Sequence, residues 1–240
     1  MKIRCFATPN DLLPGDLDGA AAIVIDTQRR IWRHSSVVTS VAAAAMSNGC
    51  AGLLACATVE AAREAAKARD ALLGGERNAL RIDGFDFSNS PLEYTRKAIG
   101  GKRLVMTTTN GTRAIAACAP ARRLLLAALV NVAAVAAVCK KEDYVAIVCA
   151  GTAGAFTLED ALTAGALSIC LNGDEKDDAA VAFETLWLSA RDDLPRALSA
   201  TRHYNRLLSL GFQPDLDFCL TPNRLSAVCE RAEDGWFYRI

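Results

Sequence analysis

The sequence predicts an α/β protein: a three-layer α/β/α arrangement around a mixed, largely parallel sheet, built as a single domain over residues 1–240. Three observations lead there. Short apolar runs alternate with Ala-rich helical stretches along the whole chain, the pattern of a sheet with helices on its faces. No repeat of fixed period and no low-complexity linker divides it. Several apolar runs end in small or polar residues just before a helix begins, where open α/β sheets bind their ligands.

The elements follow in order. Ala21–Ile25 reads as a strand ending at Asp26. Thr58 is placed to cap a helix over Val59–Leu72, which is rich in the strong helix formers Ala, Glu, Arg and Lys. Leu104–Met106 reads as a strand running into Thr107-Thr108-Thr109-Asn110-Gly111, with a helix from Thr112. Leu124–Val130 is another strand, after which Asn131 would cap a helix over Val132–Cys139. Tyr144–Cys149 is a third, followed by Ala150-Gly151-Thr152-Ala153-Gly154. Thr157 and Asp160 have capping-box spacing before a helix over Ala161–Leu171. Asp26, Asn110, Gly111, Asn131 and Gly151 should then converge beyond the strand ends, where helix N-termini offer N–H groups to anions.

Composition narrows the function. Apolar residues make up 52% and charged residues 22%, so the chain buries enough surface to fold. Lys+Arg and Asp+Glu both total 27, which argues against nucleic-acid binding, since that needs a basic footprint. The longest apolar stretch, Leu124–Cys139, is interrupted by Asn131 and is shorter than the ~18 residues of a spanning helix, so no membrane span is expected. The nine cysteines are odd in number and contain no Cys-x-x-Cys pair. With Cys56, Cys139, Cys149 and Cys170 inside apolar runs, they read as structural thiols of a reducing cytoplasm. Trp187 or Trp236, if exposed, would mark the surface of a homodimer.

Several phosphate motifs are absent. There is no Cys-x5-Arg loop, no Gly-x4-Gly-Lys and no Gly-x-Gly-x-x-Gly. Asp16-Leu17-Asp18-Gly19 and Asp215-Leu216-Asp217 read as surface turns. Two histidines, His34 and His203, rule out a histidine-rich metal site, although either has the pKa range of a general acid.

Leu73-Gly74-Gly75-Glu76-Arg77, Ile82–Pro91 and Thr107–Arg113 concentrate Gly, Asn, Ser and Thr between apolar runs. They supply backbone and hydroxyl donors for an oxyanion. Phosphoryl transfer asks mainly for neutralised charge, so donors, arginines and a metal suffice. Asp26, Glu76, Glu159 and Asp160 are the carboxylates near predicted strand ends, hard ligands suited to Mg²⁺.

The segments Leu72–Arg77, Gly84–Tyr94, Thr107–Thr112 and Cys149–Ala166 together resemble the 2-phosphosulfolactate phosphatase family. Thr8-Pro9, His203-Tyr204 and Asp217–Leu220 fit the same pattern, so the resemblance covers nearly the whole chain. It implies an α/β/α fold and Mg²⁺-dependent hydrolysis of (2R)-2-phospho-3-sulfolactate to sulfolactate and phosphate, a step of coenzyme M biosynthesis in archaea. The family reads Val-Ile-Asp-Val-Leu-Arg-Ala-Thr-Ser after its first strand, whereas this chain runs Val24-Ile25-Asp26-Thr27-Gln28-Arg29-Arg30-Ile31-Trp32-Arg33-His34-Ser35-Ser36, about four residues longer. Counting forward from Asp26 matches the family arginine to Arg29. Counting back from Ser35-Ser36 matches it to Arg33, which is favoured because helix starts are tied to the sheet while added residues bulge outward.

On this reading Asp26, with Asp160, holds the metal. Arg33 or Arg29, with Arg77, neutralises the phosphate and a second anion, and Glu76 activates water. Asn89, Ser90, Thr109, Asn110, Gly111, Asn131 and Gly151 contact a small anionic phosphorylated substrate. The lengthened segment keeps two alternatives open: a non-catalytic small-anion-binding protein on the same scaffold, and a phosphoesterase with a related substrate.

Overall fold

The computed structural model describes residues 1–26, 38–77, 80–108 and 110–240. Arg29, Arg33 and Thr109 lie outside the described residues, as does His34. In chain order the elements are β1 (Lys2–Phe6), β2 (Ala21–Ile25), α1 (Val38–Ser47), β3 (Gly52–Cys56), α2 (Val59–Arg69), β4 (Leu72–Arg77) and β5 (Leu80–Arg81). Then come α3 (Arg96–Ile99), β6 (Arg103–Thr107), α4 (Asn110–Ala117), β7 (Arg123–Ala127), α5 (Val132–Val138), β8 (Tyr144–Cys149) and α6 (Leu158–Leu171). The last third holds β9 (Glu175–Lys176), α7 (Asp178–Ala190), α8 (Leu194–Leu198), α9 (Arg202–Ser209), α10 (Gln213–Cys219), β10 (Cys229–Arg231) and β11 (Phe237–Arg239).

Among the described residues the strands form one sheet in the order β5-β4-β6-β3-β11-β10-β7-β2-β8-β1-β9. It is mixed and largely parallel. β4, β6 and β3 form one parallel set and β7, β2, β8, β1 and β9 another. The antiparallel hairpin β10–β11 joins them, with Phe237 opposite Leu53 and Cys229 opposite Leu126.

Alternation along each strand sends successive side chains to opposite faces, and here both faces are buried. Ala22 and Val24 of β2 pack under α1 and α4 with Leu104, Met106 and Val148. Ile23 and Ile25 pack on the other face with Ile147 and the apolar sides of α5 and α6. Val105 meets Ala62 and Ala66 of α2 on that same second face. The result is a three-layer α/β/α fold.

Several boundaries differ from the sequence expectations. The helix from Val59 stops at Arg69, because Asp70 turns left-handed at its C-cap (φ 48°), and Leu72 opens a strand instead. The helix after β6 starts at Asn110, two residues before Thr112. β7 ends at Ala127, and Leu129–Asn131 forms a 3₁₀ turn. Asp215-Leu216-Asp217 is helical, within α10, because Leu216 is buried among the core side chains. Trp236 is buried against α2's side of the sheet and Trp187 packs partly buried on the other core, so neither offers an exposed apolar face. None of the nine cysteines is in a disulfide, although Cys170 is exposed and Cys56 is half-buried.

Candidate active site

β2 and β8 are paired through Ile25 and Cys149, and the Ala150 N–H donates to the Ile25 carbonyl at 2.7 Å. The next residue on β2 is Asp26, which is buried. Its N–H donates to Thr39 Oγ1 at 3.2 Å, and the Thr39 hydroxyl donates to its carbonyl at 2.8 Å. The Val38 N–H points at its carboxylate from 3.4 Å. The start of α1 is thus latched onto Asp26, with the positive end of the helix beside the negative side chain. α4 arrives from the other side. A Cβ at Gly111 would collide with the Asp26 carboxylate and with Val38, so only glycine lets the helix start approach this closely.

The loop after β8 completes this corner. Gly151 (φ 60°) and Ala153 (φ 52°) are left-handed, an unusual conformation for alanine. The Gly151 N–H donates to Asp160 Oδ2 at 3.0 Å and the Ala153 N–H to Asn110 Oδ1 at 3.4 Å. Asp160 therefore binds the loop rather than capping its own helix, and Thr157, at the N-cap of α6, makes no side-chain cap bond. Asn10 binds the guanidinium of Arg113 in α4 and lies against Gly154. Asn10, Asp26, Asn110, Gly111, Gly151 and Asp160 are thereby brought together from the ends of β1, β2 and β8 and the starts of α4 and α6. Cys149 beneath them is no nucleophile. Burial, with Asp160 and Asp11 nearby, pushes its thiol well above the usual range.

A second group sits at the end of β4 and β6, where Gly75 is opposite Thr107. Alternation separates its members between the two faces. Arg77 lies on the α2 side, where its guanidinium donates to Thr107 Oγ1 at 3.3 Å. Burial lowers the Arg77 pKa, and Glu60 and Glu76 oppose that shift. Glu76 lies on the other face, the one Gly74 shares with Tyr94, and is completely buried. The Tyr94 hydroxyl donates to the Ser88 carbonyl at 2.6 Å, which ties the segment carrying Asn89 and Ser90 to this part of the sheet. Ser88 itself is tied to Glu93 by its N–H and hydroxyl. The two groups are linked through the chain, since Thr108 follows β6 and Asn110 opens α4.

Asn131 is engaged elsewhere. Its Oδ1 accepts the Ala128 N–H at 2.9 Å and its Nδ2 donates to the Ala227 carbonyl at 2.8 Å, so it braces β7 to the C-terminal segment and does not cap α5. Glu159 is buried, its pKa raised chiefly by desolvation with Asp160 adding, and it accepts the Thr201 hydroxyl at 3.2 Å. Sequence reasoning missed Asn10 and Arg113. The one available signal was Thr8-Pro9-Asn10-Asp11, whose capping-box spacing is realised: Thr8 N–H donates to Asp11 Oδ2 at 2.8 Å.

Among the described residues no three His, Cys, Asp or Glu side chains gather as a metal cage. Asp26 and Asp160 still suit Mg²⁺ chemically. Both are buried carboxylates, Asp26 at the end of β2 and Asp160 in the first turn of α6, and Mg²⁺ commonly takes one or two protein carboxylates and fills its remaining positions with water and phosphate oxygens. No helix of the described residues is long and apolar enough to cross a membrane.

Comparison with known proteins agrees with this architecture. A protein of Caldicellulosiruptor saccharolyticus named probable 2-phosphosulfolactate phosphatase is 38% identical over 241 residues, covering 96% of both chains. Proteins of the same name from Clostridium acetobutylicum (37% identical, 91% of this chain and 92% of that one) and Thermotoga petrophila (38%, 86% and 87%) are similar as well. Residues 6–234 match the family described as 2-phosphosulpholactate phosphatase. With near-complete coverage, the chain belongs to the 2-phosphosulfolactate phosphatase family, a family of phosphoric monoester hydrolases.

Proposed function

We propose that the protein is a Mg²⁺-dependent phosphatase of a small, doubly anionic phosphorylated acid, with (2R)-2-phospho-3-sulfolactate as the leading substrate. The observation that carries this reading is the pair of buried carboxylates, Asp26 against the start of α4 and Asp160 holding the loop after β8. The names of the relatives support the choice of substrate. Asp26 and Asp160 would hold Mg²⁺, which when bound neutralises charge on the phosphate oxygens. Asn110 and Gly111, at the positive end of α4, would face the phosphate. Arg33 or Arg29 would clamp it, and Arg77, Ser90 and Thr109 would serve the other end of the substrate.

Glu76 is the candidate base. It takes a proton from water as the water oxygen bonds to phosphorus. The phosphorus–ester oxygen bond breaks with its electron pair on the oxygen, which picks up a proton to give sulfolactate. Nine cysteines with no disulfide among them support a reducing, cytoplasmic location.

A panel of phosphorylated acids tests the substrate class. Phosphate release from phosphosulfolactate should exceed release from a singly anionic phosphoester of similar size at least tenfold in kcat/KM. Equal rates would point to a phosphoesterase without selection for the second anion. The lengthened segment after Asp26 favours one other reading, a non-catalytic anion binder. Thermal stabilisation by sulfolactate and phosphate without turnover of any panel member would select it.

A further inference from the structure

Among the described residues, Thr108 and Asn89 are polar side chains left without hydrogen bonds. Both are completely buried. Among the described residues the Thr108 hydroxyl has no partner, and neither the oxygen nor the nitrogen of the Asn89 amide has one. Buried polar groups are almost always bonded, and each exception costs stability that something must justify.

Their position supplies a reason. Extending the β4–β6 register by one residue beyond Gly75 and Thr107 sets Glu76 beside Thr108. Thr107 turns its hydroxyl to Arg77 on the α2 face, so Thr108 is directed to the opposite face, with Met106 and Glu76. Asn89 follows by two residues Phe87, which bridges Gly74 and packs on Tyr94 at that same face. A carboxylate, a hydroxyl and an amide therefore share one buried region.

We infer that Thr108 and Asn89 are positioning residues for the water that Glu76 activates, an inference that rests on the phosphatase reading above. A water molecule has two protons to donate and two lone pairs. Glu76 accepts one proton and the Asn89 amide oxygen accepts a hydrogen bond from the other. The Thr108 hydroxyl donates to one lone pair and leaves the second aimed at phosphorus. Well-ordered buried waters typically make about three such bonds. Orientation of the nucleophile lowers the barrier without changing substrate affinity.

Steady-state kinetics of the full chain with Mg²⁺ and phosphosulfolactate tests this. Thr108→Val should lower kcat at least tenfold with KM within twofold, Thr108→Ser should keep kcat within threefold, and Asn89→Leu should resemble Thr108→Val. Because valine keeps the shape of threonine and removes only the hydroxyl, its Tm without substrate should stay within about 2 °C of wild type. A raised KM with kcat preserved, wild-type kinetics in both variants, or a Tm that falls in step with activity would each overturn the inference. Failure of the base assignment is read separately, as a Glu76→Gln variant with wild-type kcat. Failure of the positioning pair alone is a Glu76→Gln variant that has lost activity beside a fully active Thr108→Val.

Discussion

Gly111 packs so closely on the carboxylate of Asp26 that a single added methyl group would overlap it. The contact joins the end of β2 to the start of α4, although β2 and β6 lie five positions apart in the sheet order. The site therefore depends on a helix crossing the strand ends, and on a backbone with no side chain at the crossing.

Gly111→Ala should accordingly displace either α4 or Asp26. Overpacking of this kind costs about 1–3 kcal/mol of stability. The loss in kcat/KM should be larger, about 100-fold, equivalent to ~2.7 kcal/mol of transition-state stabilisation. Chemical denaturation and steady-state rates of the same preparation check both, and rates within twofold of wild type would place the chemistry elsewhere.

The carboxylate pair can be tested through the ion itself. Mg²⁺ should raise the Tm of the wild-type protein, and Asp26→Asn or Asp160→Asn should abolish that rise. Asp160→Asn should also loosen the Gly151 loop, because the carboxylate accepts the Gly151 N–H. A Mg²⁺-dependent shift of wild-type size in both variants would remove the pair from metal binding.

Among the arginines after Asp26, bidentate recognition of phosphate separates guanidinium from ammonium. Arg33→Lys should lower kcat/KM at least tenfold, about 1.4 kcal/mol, while Arg30→Lys changes it little. Small, equal effects at Arg29, Arg30 and Arg33 would mean that the segment supplies only a diffuse positive field.

Strand ends and their polar residues were legible in the sequence because a buried parallel strand reads as an apolar run and stops where polar residues begin. Asp26, Asn110, Gly151 and Asp160 were found in that way. Their partners were not. The pairing of Asp160 with Gly151, where a capping box was expected, depends on the left-handed turn at Gly151, and the chain records only a glycine there. Asn131 had the right type and position for a ligand contact. The C-terminal segment, ninety-six residues away, takes its amide at Ala227. The β10–β11 hairpin was missed because three-residue strands carry too little period to read. Glu76, read as the base, and Arg77, read as a partner of the anion, are neighbours in sequence, and strand alternation sends them to opposite faces.

Asp16 gives a pH signature independent of catalysis. The Leu13 N–H and the Arg4 guanidinium hold its carboxyl below the ordinary value of 3.8. A depressed carboxyl binds its proton more weakly in the folded chain than in the unfolded one. Its contribution is thus present in full above 3.8 and is lost as pH falls from there through the lower folded value. Asp16→Asn should cost about 1 kcal/mol at pH 7, the scale of one charge-assisted hydrogen bond, and progressively less in urea unfolding below pH 4. A cost independent of pH would show that the charge contributes nothing.

The central claim is that Asp26 serves phosphate-ester hydrolysis in this family member. Release of inorganic phosphate from phosphosulfolactate, followed with Mg²⁺ and again with excess chelator, tests it most directly when wild type and Asp26→Asn are run side by side. The predicted result is Mg²⁺-dependent turnover by the wild type and loss of at least three orders of magnitude in the variant. Absence of turnover at every pH between 5 and 9, or an Asp26→Asn protein as active as wild type, would contradict it.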